Sequence, residues 1–192
     1  MTAILIELTA AIRTELSAAS NAEECAQRVA ARLAPFLRHA DLLLPAQLEP
    51  DPHGYRQHLL HAEPDGSFSV VALVWLPGQA TSIHDHASWC VVGTYLGAEE
   101  ETVYRLATEG GRTVLVPVST TVHREGAVTY VTPPGDIHRV RNATTDRTVS
   151  LHVYGLDVSL SGTSIRRTYD QPVTAGARPL SGAAPQPLRP AR

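Results

Sequence analysis

Lysine is absent from this 192-residue chain, and all 16 of its basic residues are arginine. Base composition accounts for that as readily as selection does, so it carries no reading of function. Also missing is any run of about 20 apolar residues, which excludes a membrane-spanning helix. The start, MTAILIELTAAIRTEL, mixes acidic residues into its apolar pattern and resembles neither an export signal nor a span. The net charge is small, −3 with histidine neutral, and gives no electrostatic case for nucleic acid or an anionic membrane as partner. Cysteine is scarce: Cys25 and Cys90 stand far apart, which predicts reduced thiols in a cytoplasmic protein, with Cys25 a small apolar core residue. What is present, 43% hydrophobic and 18% charged residues, suits one well-filled globular core.

Ile4, Leu8, Ala11, Ile12 and Leu16 recur at helical spacing and predict an amphipathic helix over 3–18. Asn21 with Glu24 three residues later resembles a capping box, and predicts a second helix that stops near Pro35. From Tyr55 onward β-branched residues alternate with polar ones between turn signals. The expected strands are Arg56–Ala62, Ser67–Leu76, Trp89–Leu96, Thr102–Leu106, Thr113–Pro117, Val128–Thr132, Arg139–Asn142, Thr148–Tyr154 and Ile165–Tyr169. About nine short strands with no helical pattern between them mean an all-β antiparallel sandwich or barrel. The expected organisation is an N-terminal helical segment (1–45), a barrel (46–170) and a loosely attached Pro/Ala/Gly-rich tail (171–192).

The segment Gly78–Gly97 carries His84 and His86, which an extended backbone places on one face. Two such imidazoles are half of a site for zinc, iron, nickel or copper. His138 follows the tight turn Pro133-Pro-Gly135 and is the candidate third ligand. Ser150, His152 and Tyr154 alternate on one strand, so a Ser–His–Tyr hydrogen-bond relay can form on one of its faces. His39, His53, His58, His61 and His123 have no usable partner spacing and read as surface or core.

Gly78-x5-His84-x-His86-x3-Cys90-x6-Gly97 and Pro133-x-Gly135-x2-His138-x3-Asn142 resemble the paired motifs of the cupin superfamily, with Cys90 where a cupin usually has Glu. The intact His-Asp-His without that Glu, Trp75-x8-His84, the Gly-Asp-Ile-His138-Arg-Val-x-Asn block and Ser150-Leu-His152-Val-Tyr154 all resemble the cysteine dioxygenase family. The resemblance covers roughly residues 55–169. It implies a small cupin (double-stranded β-helix) barrel, one mononuclear Fe(II) on His84, His86 and His138, and a relay ending with Tyr154 beside the iron. Gln57, where cysteine dioxygenases carry an Arg, and Tyr154-Gly155 resemble the branch that acts on 3-mercaptopropionate. That branch implies Arg167 as the clamp on the substrate carboxylate, with Gln57 beside it and with Arg166 and Arg56 competing; Trp89 is a further substrate-binding candidate, and for Gln57 and Trp89 a place in the pocket wall or the core stands as the alternative. Cys90 resembles the animal enzymes, whose Cys is joined to the Tyr, and so implies a Cys90–Tyr154 thioether.

The expected activity is addition of both atoms of O2 to the sulfur of a small thiol carboxylic acid, giving the sulfinate. Cysteine or a larger thiol as substrate, and a metal-binding cupin with no oxygenase activity, stand as the alternatives. The expected partners are the thiol and O2 only, in a monomer or small homo-oligomer.

Overall fold

The computed structural model describes residues 1–174. Two helices, α1 (Ala3–Ala18) and α2 (Ala22–Phe36), open the chain. Thr2 caps α1 by accepting from the Leu5 amide, and Asn21 caps α2 by accepting from Glu24 N at 2.9 Å. Glu24 reaches back to the amide of Ser20, one residue before the expected partner of a capping box. Pro35 sits in the last turn of α2, which ends one residue later. No helix among the described residues is long and apolar enough to cross a membrane.

Ten strands follow: β1 (Arg56–Ala62), β2 (Ser69–Trp75), β3 (Ile83–His86), β4 (Cys90–Leu96), β5 (Ala98–Glu109), β6 (Arg112–Arg124), β7 (Val128–Val131), β8 (His138–Asn142), β9 (Thr148–Tyr154) and β10 (Ile165–Tyr169). They form two antiparallel five-stranded sheets, in the orders β1-β2-β9-β4-β7 and β10-β3-β8-β5-β6. The expected strands are all there, and Ile83–His86 adds a tenth. The pair β5 and β6 is longer than expected and stays in register over its whole length apart from one bulge at Val103/Tyr104. A short helix, α3 (Val158–Ser161), crosses between β9 and β10.

Alternation along the first sheet sorts its residues to two sides. Val70, Ala72, Val74, Val91, Val149, Leu151 and Val153 pack with Leu5, Leu8, Ile12, Val29 and Leu33 of the helices. Val71, Leu73, Trp75, Cys90, Val92 and Tyr154 face the barrel interior with Val140 of the second sheet. The helices thus cover one face of the first sheet, and the other face is free to build a site. The tail begins attached rather than loose: Val173 bridges to Leu115 of β6, and Thr174 N donates to the Leu115 carbonyl at 2.9 Å. The rest of the expected tail, 175–192, lies outside the described residues.

The contact between α2 and β4 depends on Gly93. A Cβ there would come within 2.9 Å of Leu33 Cδ2 and of Leu37 Cδ1. Leu33→Ala is expected to destabilise the fold by about 2–5 kcal/mol through the cavity it leaves, and Gly93→Ala by about 1–3 kcal/mol through overpacking. In the double variant the new methyl occupies part of the vacated space, so the combined loss in urea denaturation is expected to fall short of the sum. Strict additivity would show that the two sites do not share this contact.

Candidate metal centre and cavity

Strand β3 is short and lies between β10 and β8 in the second sheet. Its alternation points His84 and His86 into the barrel and Asp85 to the opposite side. His138 begins β8 and pairs with His84 in the ladder. Gly135, at φ +100°, makes the bend before it, a conformation that a side chain would strain. One ring nitrogen from each of the three histidines lies within 4.8 Å of the others, and all three side chains are buried.

The second nitrogen of each ring is already committed. His84 Nδ1 donates to the Ser82 carbonyl at 3.0 Å, His86 Nδ1 to Asp136 Oδ2 at 2.9 Å, and His138 Nδ1 to Glu101 Oε1 at 2.6 Å. These acceptors have no proton to give, so each Nδ1 carries a hydrogen and each Nε2 is the nitrogen left to face the cavity. His138 Nε2 is buried without a protein partner. Burial, with the neighbouring imidazoles, holds His84 down to about 3, so it is neutral and able to ligate at pH 7. A divalent metal fits this donor set and would satisfy the orphaned nitrogen.

Two buried carboxylates stand behind the rings. Burial works against the charge on Glu101, but hydrogen bonds from His123 and His138 outweigh it and bring the group down to about 2. Asp136 is likewise held below its ordinary value against burial, by the ring and backbone N–H of His86. Such partners fix ring orientation and strengthen the ligand nitrogen.

Ser150, His152 and Tyr154 all project inward from β9. Ser150 Oγ is 3.0 Å from His152 Nε2, and Tyr154 OH is 3.1 Å from His152 Nδ1. Trp75 Nε1 donates to Ser150 Oγ at 3.3 Å, and the Trp75 ring is stacked on Tyr55 with centroids 4.5 Å apart. Burial keeps His152 neutral, down to about 3, and pushes the Tyr154 phenol well up. Cys90 stands directly opposite Tyr154 across β4 and β9, with Sγ 3.9 Å from His152 Nδ1. Burial raises this thiol well above its ordinary value, so it is protonated.

The three histidines, His152 and Tyr154 line one cavity of about 410 Å³, counting its open mouth. Gln57 and Tyr55 stand on its wall with Leu73, Val92 and Val140, and the segment Thr163-Ser164-Ile165 closes one side. Two substrate-binding candidates lie elsewhere. Because Cys90 faces inward, alternation turns Trp89 outward into the core beneath the helices, where its indole covers Gly155 so closely that a Cβ there would collide with Nε1. Arg167 does not line the cavity either. A register irregularity between Ile165 and Arg167 gives Ile165 the cavity side, and both Arg166 and Arg167 reach Asp85 on the far face of β3. Asp85 is 1% exposed and needs those partners, with Tyr169 OH a further donor at 2.7 Å. Sequence reasoning missed Glu99, Glu101 and Asp136; their signal was alternation behind Gly97 and a position two residues before His138.

A β-barrel that turns three imidazoles inward beside a cavity offers a candidate site for a metal ion. The family model described as cysteine dioxygenase type I matches residues 41–160, and the chain belongs to the cysteine dioxygenase family. Cysteine dioxygenase type 1 of Danio rerio is 31% identical over 106 residues, covering 54% of this chain and 52% of that protein. The Homo sapiens protein of the same name is 32% identical over the same length and shares. The chain therefore spans about half the length of the curated relatives it matches. A Cupin 2 conserved barrel domain protein from Salinispora arenicola CNS-205 is 23% identical at a TM-score of 0.41, covering 62% of this chain and 89% of that one.

Acid should weaken the metal-free fold. Unfolded histidine titrates near 6.5, whereas His84 and His152 are held to about 3 when folded. The unfolded chain therefore binds more protons between those values, and stability present above about 6.5 is lost as pH falls toward 3, on the order of 1–2 kcal/mol per imidazole by pH ~5. Urea midpoints of metal-free protein should drop between neutral pH and pH ~5, and less steeply in His152→Asn. A midpoint unchanged over that range would contradict the burial of neutral imidazoles.

Proposed function

We propose that this chain is a thiol dioxygenase that holds one Fe(II) on His84, His86 and His138 and converts a small thiol carboxylic acid to its sulfinate. The observation that carries the reading is the placement of three imidazoles, His152 and Tyr154 on the walls of one cavity, with Ser150 bonded to His152. Ferrous iron in that position supplies a cationic centre that favours the thiolate and the redox chemistry that O2 needs.

The protein's own groups do the rest. Leu73, Val92 and Val140 keep the cavity wall apolar around the reacting sulfur. Tyr154 OH, held by His152, is the hydroxyl that meets the substrate or the incoming oxygen. With Arg166 and Arg167 committed to Asp85, the distal end of the substrate meets neutral groups among the described residues: Gln57, Tyr55, Thr163 and Ser164. Gln57 supports 3-mercaptopropionate, while the names of the family and of both relatives support cysteine as the second reading.

Oxygen uptake by protein loaded anaerobically with Fe(II) and offered 3-mercaptopropionate, cysteine, mercaptosuccinate and cysteamine tests the proposal. Uptake should require both iron and thiol, yield the sulfinate, and fall roughly 10²-fold in His152→Asn. No uptake with any of the four thiols would sink it. The opposed positions of Cys90 and Tyr154 support a thioether between them, formed by oxidation with O2, which takes up the two hydrogen atoms that the pair loses. Intact mass and peptide mapping after aerobic turnover should show that loss at this pair, and a free Cys90 thiol in fully active protein would remove it.

A further inference from the structure

Behind the relay stands a carboxyl group that the mechanism above does not use. Glu99, near the start of β5, is 2% exposed, and its Oε1 is buried with no hydrogen-bond partner. Ser150 on β9, itself wholly buried, is the hydroxyl close enough to this carboxyl group to oppose the rise in its pKa. The Ser150 oxygen also receives the Trp75 N–H, which can only donate. A hydroxyl has one proton to give, and that proton has two candidate acceptors, Glu99 and His152 Nε2.

The charge state of Glu99 decides between them. As a carboxylate it takes the Ser150 proton. Ser150 then accepts from His152 Nε2–H, His152 Nδ1 accepts from Tyr154 O–H, and the Tyr154 oxygen shows only lone pairs to the cavity. As a neutral acid Glu99 donates to Ser150. Every bond in the chain then reverses: Ser150 donates to Nε2, Nδ1–H donates to the Tyr154 oxygen, and the Tyr154 proton points into the cavity. His152 is neutral in both arrangements, as its burial requires, and only its tautomer changes.

We propose that Glu99 is the proton terminus of the Ser150–His152–Tyr154 chain, receiving through it the proton that a substrate thiol loses on entering the cavity. The thiol S–H bond breaks as its proton reaches the Tyr154 oxygen. The phenol proton moves to His152 Nδ1, the Nε2 proton to Ser150 Oγ, and the hydroxyl proton to Glu99. One negative charge passes from Glu99 to sulfur, and nothing is oxidised or reduced in this step. The overall reaction, RSH + O2 → RSO2⁻ + H⁺, releases that same proton. His123, paired with Glu99 across β5 and β6 and partly exposed, is the neighbour on the side toward solvent. Glu99 acts through Ser150 and so is a positioning residue rather than a catalytic one.

The surroundings match Glu99 to this task. Burial raises it to about 7, opposed by the Ser150 hydroxyl and by His123 and His138, and reinforced by Glu101. Tyr130 lines the small cavity beside it, and Cys90 on β4 is close enough to feel its charge. An ordinary carboxylate is a poor base for a thiol of pKa near 8.5, and one raised toward neutrality is a better match.

The proposal takes its proton donor from the thiol dioxygenase reading, whereas the two arrangements of the chain do not depend on it. Nitrogen-15 NMR of histidine-labelled, metal-free protein reads the His152 tautomer directly. In the wild type, Nδ1–H should give way to Nε2–H as pH rises through neutrality. Glu99→Gln should hold a single tautomer throughout, and Ser150→Ala should uncouple the ring from Glu99 and abolish the switch. A wild-type tautomer that ignores pH, or a switch that survives in either variant, would overturn the proposal. In iron-loaded protein, Glu99→Gln should lose roughly 10²-fold in kcat/KM at neutral pH, with the deficit shrinking as pH approaches the ionisation of the thiol itself. An equal loss at every pH would mark Glu99 as merely structural. Absence of oxygen uptake by the wild type would instead sink the thiol dioxygenase reading, while the tautomer measurement would still decide the fate of the chain.

Discussion

Three imidazoles converge inside a barrel, held at steep angles to one another by the hydrogen bonds of their outer nitrogens, and the rest of the site depends on that constraint. Each bond comes from a different part of the chain: a carbonyl just before β3, a carboxylate in the turn before β8, and a carboxylate on β5. Rotating any ring would break its hydrogen bond to a carboxylate or carbonyl behind it, a loss of about 1–3 kcal/mol each. The lone pairs therefore converge before any metal arrives. The acidic residues carry their own supports, since Glu101 is also bonded to His123 and Asp136 to the His86 backbone.

The same two-residue period that builds the centre also insulates it. On β3 it sends His84 and His86 inward and Asp85 outward, where two arginines and a tyrosine neutralise it and tie β10 alongside. On β4 it sends Cys90 inward and Trp89 outward against Gly155. On β9 it lines up Ser150, His152 and Tyr154 on the cavity side while Val149, Leu151 and Val153 bind the sheet to the helices. A one-residue slip in any of these strands would exchange its core set for its site set, so packing of the helical face fixes the register that the cavity needs.

That period explains what could be read from the sequence. His84 and His86, the inward trio on β9 and the ends of β1, β9 and β10 follow from alternation and turn residues alone. The span of β5 and β6 does not, because Glu99-Glu100-Glu101 reads as a solvated acidic run until Asn142, Val140 and His123 are seen opposite it. For Trp89 the sequence leaves pocket wall and core both open, and its place in the core follows from the inward Cys90 next to it. Arg167 was misplaced: a register irregularity in β10 has no local sequence signal, and strict alternation fails there. The likeness to the 3-mercaptopropionate branch brought an arginine to the right strand, and tertiary pairing with Asp85 then took it out of the cavity.

Charge accounting changes the meaning of Cys90. Where a cupin usually has a carboxylate ligand this chain has a buried, protonated thiol, which suggests a centre with uncompensated positive charge. The structure shows the compensation one group further out: Glu101 and Asp136, both held ionised, sit behind His138 and His86. With a divalent ion in place the metal and these two carboxylates sum to about zero. A thiolate brought in from solvent would add a net negative charge to a space with little water, which is costly. If the substrate instead enters as a thiol and its proton moves along the relay to Glu99, the charge inside the barrel stays constant while the ligand next to the metal becomes anionic. A buried carboxyl group raised toward neutrality at the far end of the relay is what that exchange requires.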